Sequence, residues 1–221
     1  MKGKLIVLEG IDGSGKSTQF KLLKERLTLE GRPFRSVTFP RYDKDSSALI
    51  RSYLGGEFGS DPGDVSAWAA SVFFFVDRYA SFKTDWGEYY NNGGLVLCDR
   101  YTTSNAIHQG AKLEPSRLGG FLDWLFEFEY TLMELPKPDA VLYMDIDLKT
   151  SLDQLCGRQS SDGSVGDIHE THADYLENCL RAGDFSAAHL GWRRISCLRD
   201  GAMRTQSEIH GDVYKIVKEL L

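Results

Sequence analysis

The segment Gly10-Ile11-Asp12-Gly13-Ser14-Gly15-Lys16-Ser17 decides the fold of this chain. It matches the pattern G-x-x-x-x-G-K-[ST], in which glycines let the backbone turn around phosphate groups, the lysine reaches the β- and γ-phosphates, and the hydroxyl can ligate Mg²⁺. The chemistry needs a strand before this segment and a helix after it, because the positive end of a helix helps to bind an anion. The apolar run at residues 4–9 and the helical pattern at residues 16–30 supply both. We therefore predict a phosphate-binding loop (P-loop) rather than an ordinary glycine-rich turn.

Outward from the loop, short apolar runs alternate with helical patterns. Residues 95–98 and 140–144 are uninterrupted apolar runs, as strands buried on both faces of a parallel sheet require. Further strands are predicted at residues 34–39 and 192–197. Helices are predicted at residues 46–54, 64–90, 102–109, 117–133, 148–156, 168–182 and 208–220. The alternation predicts an α/β fold with an approximately five-stranded parallel sheet flanked by helices and ligands at the carboxyl ends of the strands. Together with the phosphate-binding loop, it indicates the three-layer P-loop NTPase fold.

Composition and charge exclude several other classes. The 221 residues, 42% apolar and 26% charged, suit one soluble globular domain covering residues 1–221. The formal net charge of -6 disfavours binding to a nucleic-acid polymer. No apolar segment is long enough to span a bilayer. The four scattered cysteines predict reduced thiols, a cytoplasmic location and no structural zinc, and the spacing of His169 and His172 does not make a credible metal site.

The phosphate-binding loop alone leaves GTPases, motor ATPases and kinases of small molecules open. A GTPase should also carry a D-x-x-G segment followed by a switch helix and an N-K-x-D segment that reads guanine. Residues 61–64 read Asp-Pro-Gly-Asp, and N-K-x-D is absent. These absences favour the kinases.

Five ordered segments resemble the thymidylate kinase family. They are the stretches EGIDGSGKST at residues 9–18, FPRY at 39–42, FFVDR at 74–78, DRYTTSNAIHQG at 99–110, and DIHE at 167–170. The resemblance implies transfer of the γ-phosphoryl group of ATP to dTMP, giving ADP and dTDP, with Mg²⁺ bridging the phosphates. Two alternatives remain: a kinase of another nucleoside monophosphate or deoxynucleoside on the same fold, and a nucleotide-binding module without catalysis.

The resemblance also implies roles for individual residues. ATP is expected on the loop residues Gly10, Ile11, Asp12, Gly13, Ser14, Gly15, Lys16, Ser17 and Thr18. The substrate dTMP is expected on Asp12, Phe39, Pro40, Arg41, Tyr42, Phe74, Arg78, Arg100, Ser104, Asn105, His108 and Gln109. The residues expected to act in catalysis are Lys16, Arg100, Asp12 and Arg158. The loop motif itself makes Ser17 an expected oxygen ligand of Mg²⁺, and Asp99 is expected as the other, directly or through water, because it ends an apolar strand as a carboxylate does in P-loop enzymes.

Residue patterns alone leave several of these roles open. Asp12 is also a good turn former, and Asp99 with Arg100 could form a surface ion pair.

The roles of Phe74 and His108 are open as well. Phe74 and Arg78 stand four apart on a helix, so they share a face and can present a ring and a guanidinium to one ligand. Apolar residues at that spacing equally predict core packing for Phe74, and without the family we would favour the core. His108 occupies a position where many relatives carry an aromatic residue that crowds the 2′ position of the sugar. A packed helical histidine is an equal alternative.

The predicted lid covers residues 157–168, within a segment rich in serine and glycine between two helices. A lid excludes water during phosphoryl transfer. Some members of the family that the chain resembles place a catalytic arginine in the phosphate-binding loop, and others place it in the lid. Residues 10–18 contain no arginine. The resemblance therefore implies that Arg158, at the start of the lid, stabilises the transferring group, although Arg181 and the arginines of residues 193–199 remain alternatives. Family members are often dimers, which implies a homodimer, yet an apolar helix face serves packing within one chain equally well.

Overall fold

The computed structural model describes residues 2–162 and 173–221, and it describes side chains for all of these except 158–162 and 173. Five strands form one parallel sheet in the order β2-β3-β1-β4-β5. The strands are β1 (Lys4–Glu9), β2 (Arg35–Thr38), β3 (Leu95–Asp99), β4 (Ala140–Asp145) and β5 (Arg193–Ser196). The predicted α/β sheet is confirmed.

Helices cover the sheet. They are α1 (Lys16–Leu29), α2 (Ala48–Leu54), α3 (Ala67–Ser81), α4 (Gly87–Asn91), α5 (Thr102–His108), α6 (Pro115–Phe126), α7 (Leu148–Asp162), α8 (Ala173–Leu190) and α9 (Gln206–Leu220). No helix among residues 2–162 and 173–221 is long and apolar enough to cross a membrane.

The sheet registers place the functional ends of the strands side by side. Leu8 pairs with Asp99 across β1 and β3, and Glu9 pairs with Tyr143 across β1 and β4. The apolar residues of β1 are fully buried, because helices cover both faces of the sheet. Glu9 and Asp99 therefore lie together at the carboxyl ends of the strands, where the phosphate-binding loop and α5 begin.

The single helix predicted at residues 64–90 is wrong in detail. It begins at Ala67, where the Ser66 hydroxyl accepts a hydrogen bond from the amide of Ala69, and a π-helical segment at Phe82–Trp86 interrupts it. A Cβ on Gly87 would lie 2.2 Å from the carbonyl oxygen of Phe82, so a glycine is needed where this wider turn closes. A second π-helical segment, Glu127–Leu132, follows α6 inside the predicted helix 117–133.

Two further differences lie in the carboxyl-terminal half of the chain. Helix α7 continues through Asp162, so the start of the predicted lid is helical, while residues 163–168 lie outside the described residues. A two-stranded hairpin, β6 (Leu198–Arg199) and β7 (Ala202–Met203), was not predicted. Its turn residues Asp200 and Gly201 both have positive φ, which is the Asp-Gly signal of a tight hairpin turn.

Candidate active site

The phosphate-binding loop is closely packed. Gly13 and Gly15 have φ angles of 78° and 80°, which side chains rarely adopt. A Cβ on Gly13 would lie 2.4 Å from the carbonyl oxygen of Ser151 at the start of α7. The Ser151 hydroxyl in turn donates to the carbonyl oxygen of Asp12 at 2.6 Å. The loop is thus held against α7 as well as at the start of α1.

A cavity opens on this loop. It is lined by Asp12, Gly13, Ser14, Gly15, Lys16, Ser17, Thr18, Arg100 and Gln154. Of the residues predicted for ATP, Gly10 and Ile11 do not line it, and Ile11 packs in the core. Gln154 was not predicted. The loop motif at residues 10–18 carries no information about a contact that Gln154 makes from α7.

Lys16 is a buried cation of this cavity, which Arg100 also lines. It is only 5% exposed. Burial and the nearby Arg100 lower its pKa, while the carboxylates of Asp99, Asp12 and Glu9 act in the opposite direction. An anion in the cavity would relieve the cost of burying the ammonium group. The geometry therefore suits a polyphosphate.

A second cavity, with an empty volume of about 620 Å³, lies beside the first. It is lined by Asp12, Phe39, Pro40, Tyr42, Leu54, Phe74, Arg78, Arg100, Tyr101, Ser104, Asn105, His108 and Gln109. Among the residues predicted for the acceptor, Arg41 does not line this cavity. Leu54 and Tyr101 were not predicted, because their apolar patterns resemble those of core residues.

Asp12 and Arg100 line both cavities. They form an ion pair, and Arg100 Nη1 also lies 2.9 Å from His108 Nε2. Burial lowers the pKa of Arg100, but the carboxylates of Asp12, Glu9 and Asp99 outweigh burial and raise it. Arg100 has a φ of 66°, a left-handed conformation that is uncommon outside glycine and clusters at functional sites. The arginine is therefore a permanent cation at the junction of the cavities.

Glu9 was missed as a single residue, although it stands in one of the quoted segments. Its Oε1 accepts hydrogen bonds from the Tyr101 amide at 3.2 Å, the Thr103 hydroxyl at 2.9 Å and the Ser104 hydroxyl at 2.7 Å. These donors lie at the start of α5, where backbone N–H groups lack helical partners. Burial raises the pKa of Glu9 despite the nearby Arg100. A carboxylate at the end of an apolar strand was the available signal.

The floor of the second cavity carries polar groups suited to a base. Gln109 is fully buried, and its amide oxygen and nitrogen have no hydrogen-bond partner among residues 2–162 and 173–221. Asn105 Nδ2 donates to the Ser71 carbonyl oxygen at 3.3 Å. Because the Ser104 hydroxyl donates to Glu9, that oxygen can only accept from a ligand. An unpaired buried amide is costly unless a ligand meets it.

Arg78 and Phe74 both line the cavity, as predicted, yet both also have structural partners. Arg78 Nε donates to Glu129 at 2.9 Å, a second N–H donates to the other Glu129 oxygen, and the Thr102 hydroxyl donates to the same carboxylate. The half-buried Phe74 ring meets the ring of Tyr53 edge-on, with centroids 6.3 Å apart. Packing and lining are therefore not exclusive alternatives for Phe74.

Arg41 does not line the second cavity. Its Nε donates to Asp77 at 3.1 Å, and its Nη2 donates to the hydroxyl of Ser46 at 3.1 Å. The backbone amide of Arg41 donates to the same Asp77 carboxylate at 2.8 Å. These bonds fix Arg41 against α3, so its predicted contact with the acceptor phosphate has no support from the cavity lining.

The predicted Mg²⁺ ligands lie on neighbouring segments. The exposed Ser17 lines the first cavity, whereas Asp99 does not line it. The Oδ1 atom of Asp99 is buried and has no hydrogen-bond partner within the described ranges. No group of three or more His, Cys, Asp or Glu residues in the described part of the chain could hold a metal ion. Two oxygen donors nevertheless fit Mg²⁺, which takes most of its ligands from water and phosphates.

The remaining predicted catalytic residue, Arg158, lies in α7, and its side chain is outside the described residues.

Comparison with known proteins agrees with this geometry. The thymidylate kinase family model matches residues 8–184. A probable thymidylate kinase of Pyrococcus horikoshii is 34% identical over 100% of this chain and 98% of its own length. The human thymidylate kinase is 33% identical over 96% of this chain and 88% of its own length. The thymidylate kinase of Mycobacterium tuberculosis is 31% identical over 85% of this chain and 87% of its own.

A solved structure gives the same answer for the fold. The thymidylate kinase from Candida albicans superimposes with a TM-score of 0.72 at 22% identity, covering 99% of this chain and 92% of that one. The family model covers most of the chain, and the relatives align over nearly their full length. The chain therefore belongs to the thymidylate kinase family, whose members phosphorylate dTMP to dTDP with ATP.

Proposed function

We propose that the triphosphate of ATP binds in the loop cavity, that dTMP binds in the adjoining cavity, and that the γ-phosphoryl group passes between them beside Arg100. The observation that carries this proposal is that Asp12 and Arg100 line both cavities. Phosphoryl transfer needs donor and acceptor in line and cations around the transferring oxygens. A shared arginine at the junction meets that need.

Lys16 and Arg100 supply the cations from opposite sides of the transferring group. Lys16 is buried at the start of α1, directly after the loop glycines. From there it would reach the β- and γ-phosphates. Arg100 reaches the acceptor phosphate and the incoming phosphoryl group. Asp12 keeps the guanidinium paired and in place before the nucleotides bind.

Ser17 and Asp99 would hold Mg²⁺, directly or through water, and the ion would neutralise charge on the β- and γ-oxygens. The unpartnered Oδ1 of Asp99 supports this part of the proposal. We further propose that Arg158 and the lid at residues 157–168 complete the site, within one domain spanning residues 1–221.

The thymine ring would stack on Phe74, with Arg78 donating to a ring carbonyl. The Ser104 hydroxyl oxygen would accept the ring N–H, and Gln109 would contribute its unpaired amide. Glu9 and Glu129 hold Ser104 and Arg78 in place.

A homodimer is proposed from the outer face of α3. Val72, Val76 and Tyr79 are large exposed apolar residues on that helix, spaced so that they share one face. We also propose a cytoplasmic location, because the buried Cys98, Cys179 and Cys197 are free thiols. Sedimentation of the purified protein tests the dimer.

An ADP-release assay with dTMP, dUMP, UMP, CMP, AMP and GMP tests the proposed acceptor. We expect dTMP to give the highest kcat/KM, and a preference for a purine nucleotide would contradict the proposal. The variant Lys16→Ala should lose turnover while keeping the native thermal unfolding profile. The matched control Lys21→Ala changes an exposed lysine of the same helix and should keep full activity.

A further inference from the structure

His108 lies between the junction arginine and helix α8. It is 6% exposed, and its Nε2 lies 2.9 Å from Nη1 of Arg100. Its Nδ1 lies 3.6 Å from Sγ of Cys179. Its carbonyl oxygen accepts a hydrogen bond from the Tyr175 hydroxyl at 2.6 Å. Both the ring and the backbone of His108 are thus fixed by contacts.

The contact with Arg100 defines which ring nitrogen carries the proton. A guanidinium group only donates hydrogen bonds, so Nε2 must be the acceptor. In the neutral ring the proton then resides on Nδ1 and points toward the sulfur of Cys179. Burial and the adjacent Arg100 lower the pKa of His108 to about 3, which agrees with a neutral ring. The charged groups around the ring include Arg100, Asp12, Lys16 and Lys112.

The guanidinium of Arg100 is consequently held at both of its terminal nitrogens. One nitrogen donates to the carboxylate of Asp12, and the other donates to His108. Asp12 belongs to the phosphate-binding loop, whereas His108 ends the helix that carries Ser104 and Asn105. The two contacts tie the arginine to both sides of the junction.

On the basis of the proposed function, we propose that His108 is a positioning residue whose neutral imidazole accepts a hydrogen bond from Arg100 and fixes the guanidinium for phosphoryl transfer. If His108 only blocks space beside the sugar, any aromatic ring at this position would serve. If His108 positions Arg100, the side chain must also carry a hydrogen-bond acceptor. The two roles predict different kinetics for the same pair of variants.

The kinetic test compares His108→Phe with His108→Gln. Phenylalanine keeps a ring but removes the acceptor, so kcat should fall about tenfold or more while the KM for dTMP changes about twofold or less. Glutamine carries an amide oxygen near the position of Nε2 and should recover most of the lost kcat. The proposal is overturned if His108→Phe keeps the native kcat, or if His108→Gln is as slow as His108→Phe. His189→Phe is the matched control, because His189 is exposed and already stacks on Phe185.

A second measurement does not depend on activity. In nitrogen-15 spectra of histidine side chains of the ligand-free protein, the signal lost in His108→Phe identifies His108. We expect a neutral ring protonated at Nδ1 that does not titrate between about pH 5 and about pH 8. A ring protonated at Nε2, or one that titrates near the ordinary value, would overturn the inference. If the native protein does not phosphorylate dTMP, the proposed function fails while this spectrum still decides the role of His108.

Discussion

Two arginine–carboxylate pairs contribute to the second cavity, and their surroundings differ. The side chains of Arg78 and Glu129 are 2% and 0% exposed. Those of Arg100 and Asp12 are 21% and 14% exposed. Thr102 adds a third hydrogen bond to the buried pair, whereas the partly exposed pair opens onto both cavities.

The difference separates stability from catalysis. A buried pair holds its partners in one geometry, and removing one partner leaves an uncompensated charge. A pair that ligands can reach keeps its arginine available to a phosphate. We therefore expect the first pair to maintain the wall of the site and the second pair to act in the reaction.

The largest expected effect follows from removing the junction arginine. Arg100→Ala should lower kcat by about 10³-fold or more, because an arginine that stabilises the transferring phosphoryl group contributes that much in related chemistry. Thermal unfolding should change little. The ADP-release assay with saturating dTMP and ATP measures the loss. A variant retaining a tenth of the native kcat would show that Arg100 does not act on the transferring group.

The same carboxylate-to-amide change at the two pairs tests the comparison through stability. Glu129→Gln should reduce the free energy of unfolding by about 3–5 kcal/mol, since Arg78 would stay buried without a counter-charge. Asp12→Asn should reduce it by less, because this pair is partly exposed. Urea unfolding of both variants gives the two values. Equal losses would remove the proposed division of roles.

The pH dependence of stability tests whether the His108 ring beside Arg100 is neutral. Because burial and Arg100 lower the pKa of His108 to about 3, the unfolded chain binds the proton more readily below about pH 6.5. The free energy of unfolding therefore falls as the pH drops from about 6.5 toward about 3, and this ring accounts for a loss of about 2 kcal/mol at pH 5. We subtract the unfolding free energy of His108→Phe from that of the native protein at each pH. This difference should be about 2 kcal/mol lower at pH 5 than at pH 7.5. A difference that does not depend on pH would contradict a buried neutral ring.

The smallest expected effect concerns the base. Gln109→Leu should raise the KM for dTMP about tenfold, which corresponds to about 1.4 kcal/mol, the range of one lost hydrogen bond. Stability should not fall, because the described residues offer the Gln109 amide no partner in the folded protein. The KM for ATP serves as the internal control. A change confined to the KM for ATP would contradict the assignment of Gln109 to the dTMP cavity.

The sequence was informative about the fold and about most of the cavity lining. The strands were predictable because buried parallel strands leave uninterrupted apolar runs. The loop residues were predictable because phosphate binding requires glycines and a lysine at fixed spacing. The Asp200-Gly201 pair is a usable sequence signal for the hairpin turn, in which both residues have positive φ.

Side-chain partners far apart in the chain were not predictable. Glu129 lies 51 residues from Arg78, and nothing in the local pattern links them. Asp77 binds Arg41 from helix α3, 36 residues further along the chain. The π-helical segment before Gly87 depends on one close approach of the Phe82 carbonyl, which a helical pattern does not encode. Such pairings follow from tertiary packing, which a single sequence specifies only collectively.

The most direct test of the shared junction is calorimetric titration with thymidine and adenosine joined through their 5′ oxygens by a chain of five phosphates. We predict that one molecule binds per chain, and that the saturated protein then takes up neither dTMP nor Mg·ATP. Continued uptake of either nucleotide would contradict two adjoining cavities that meet at Asp12 and Arg100.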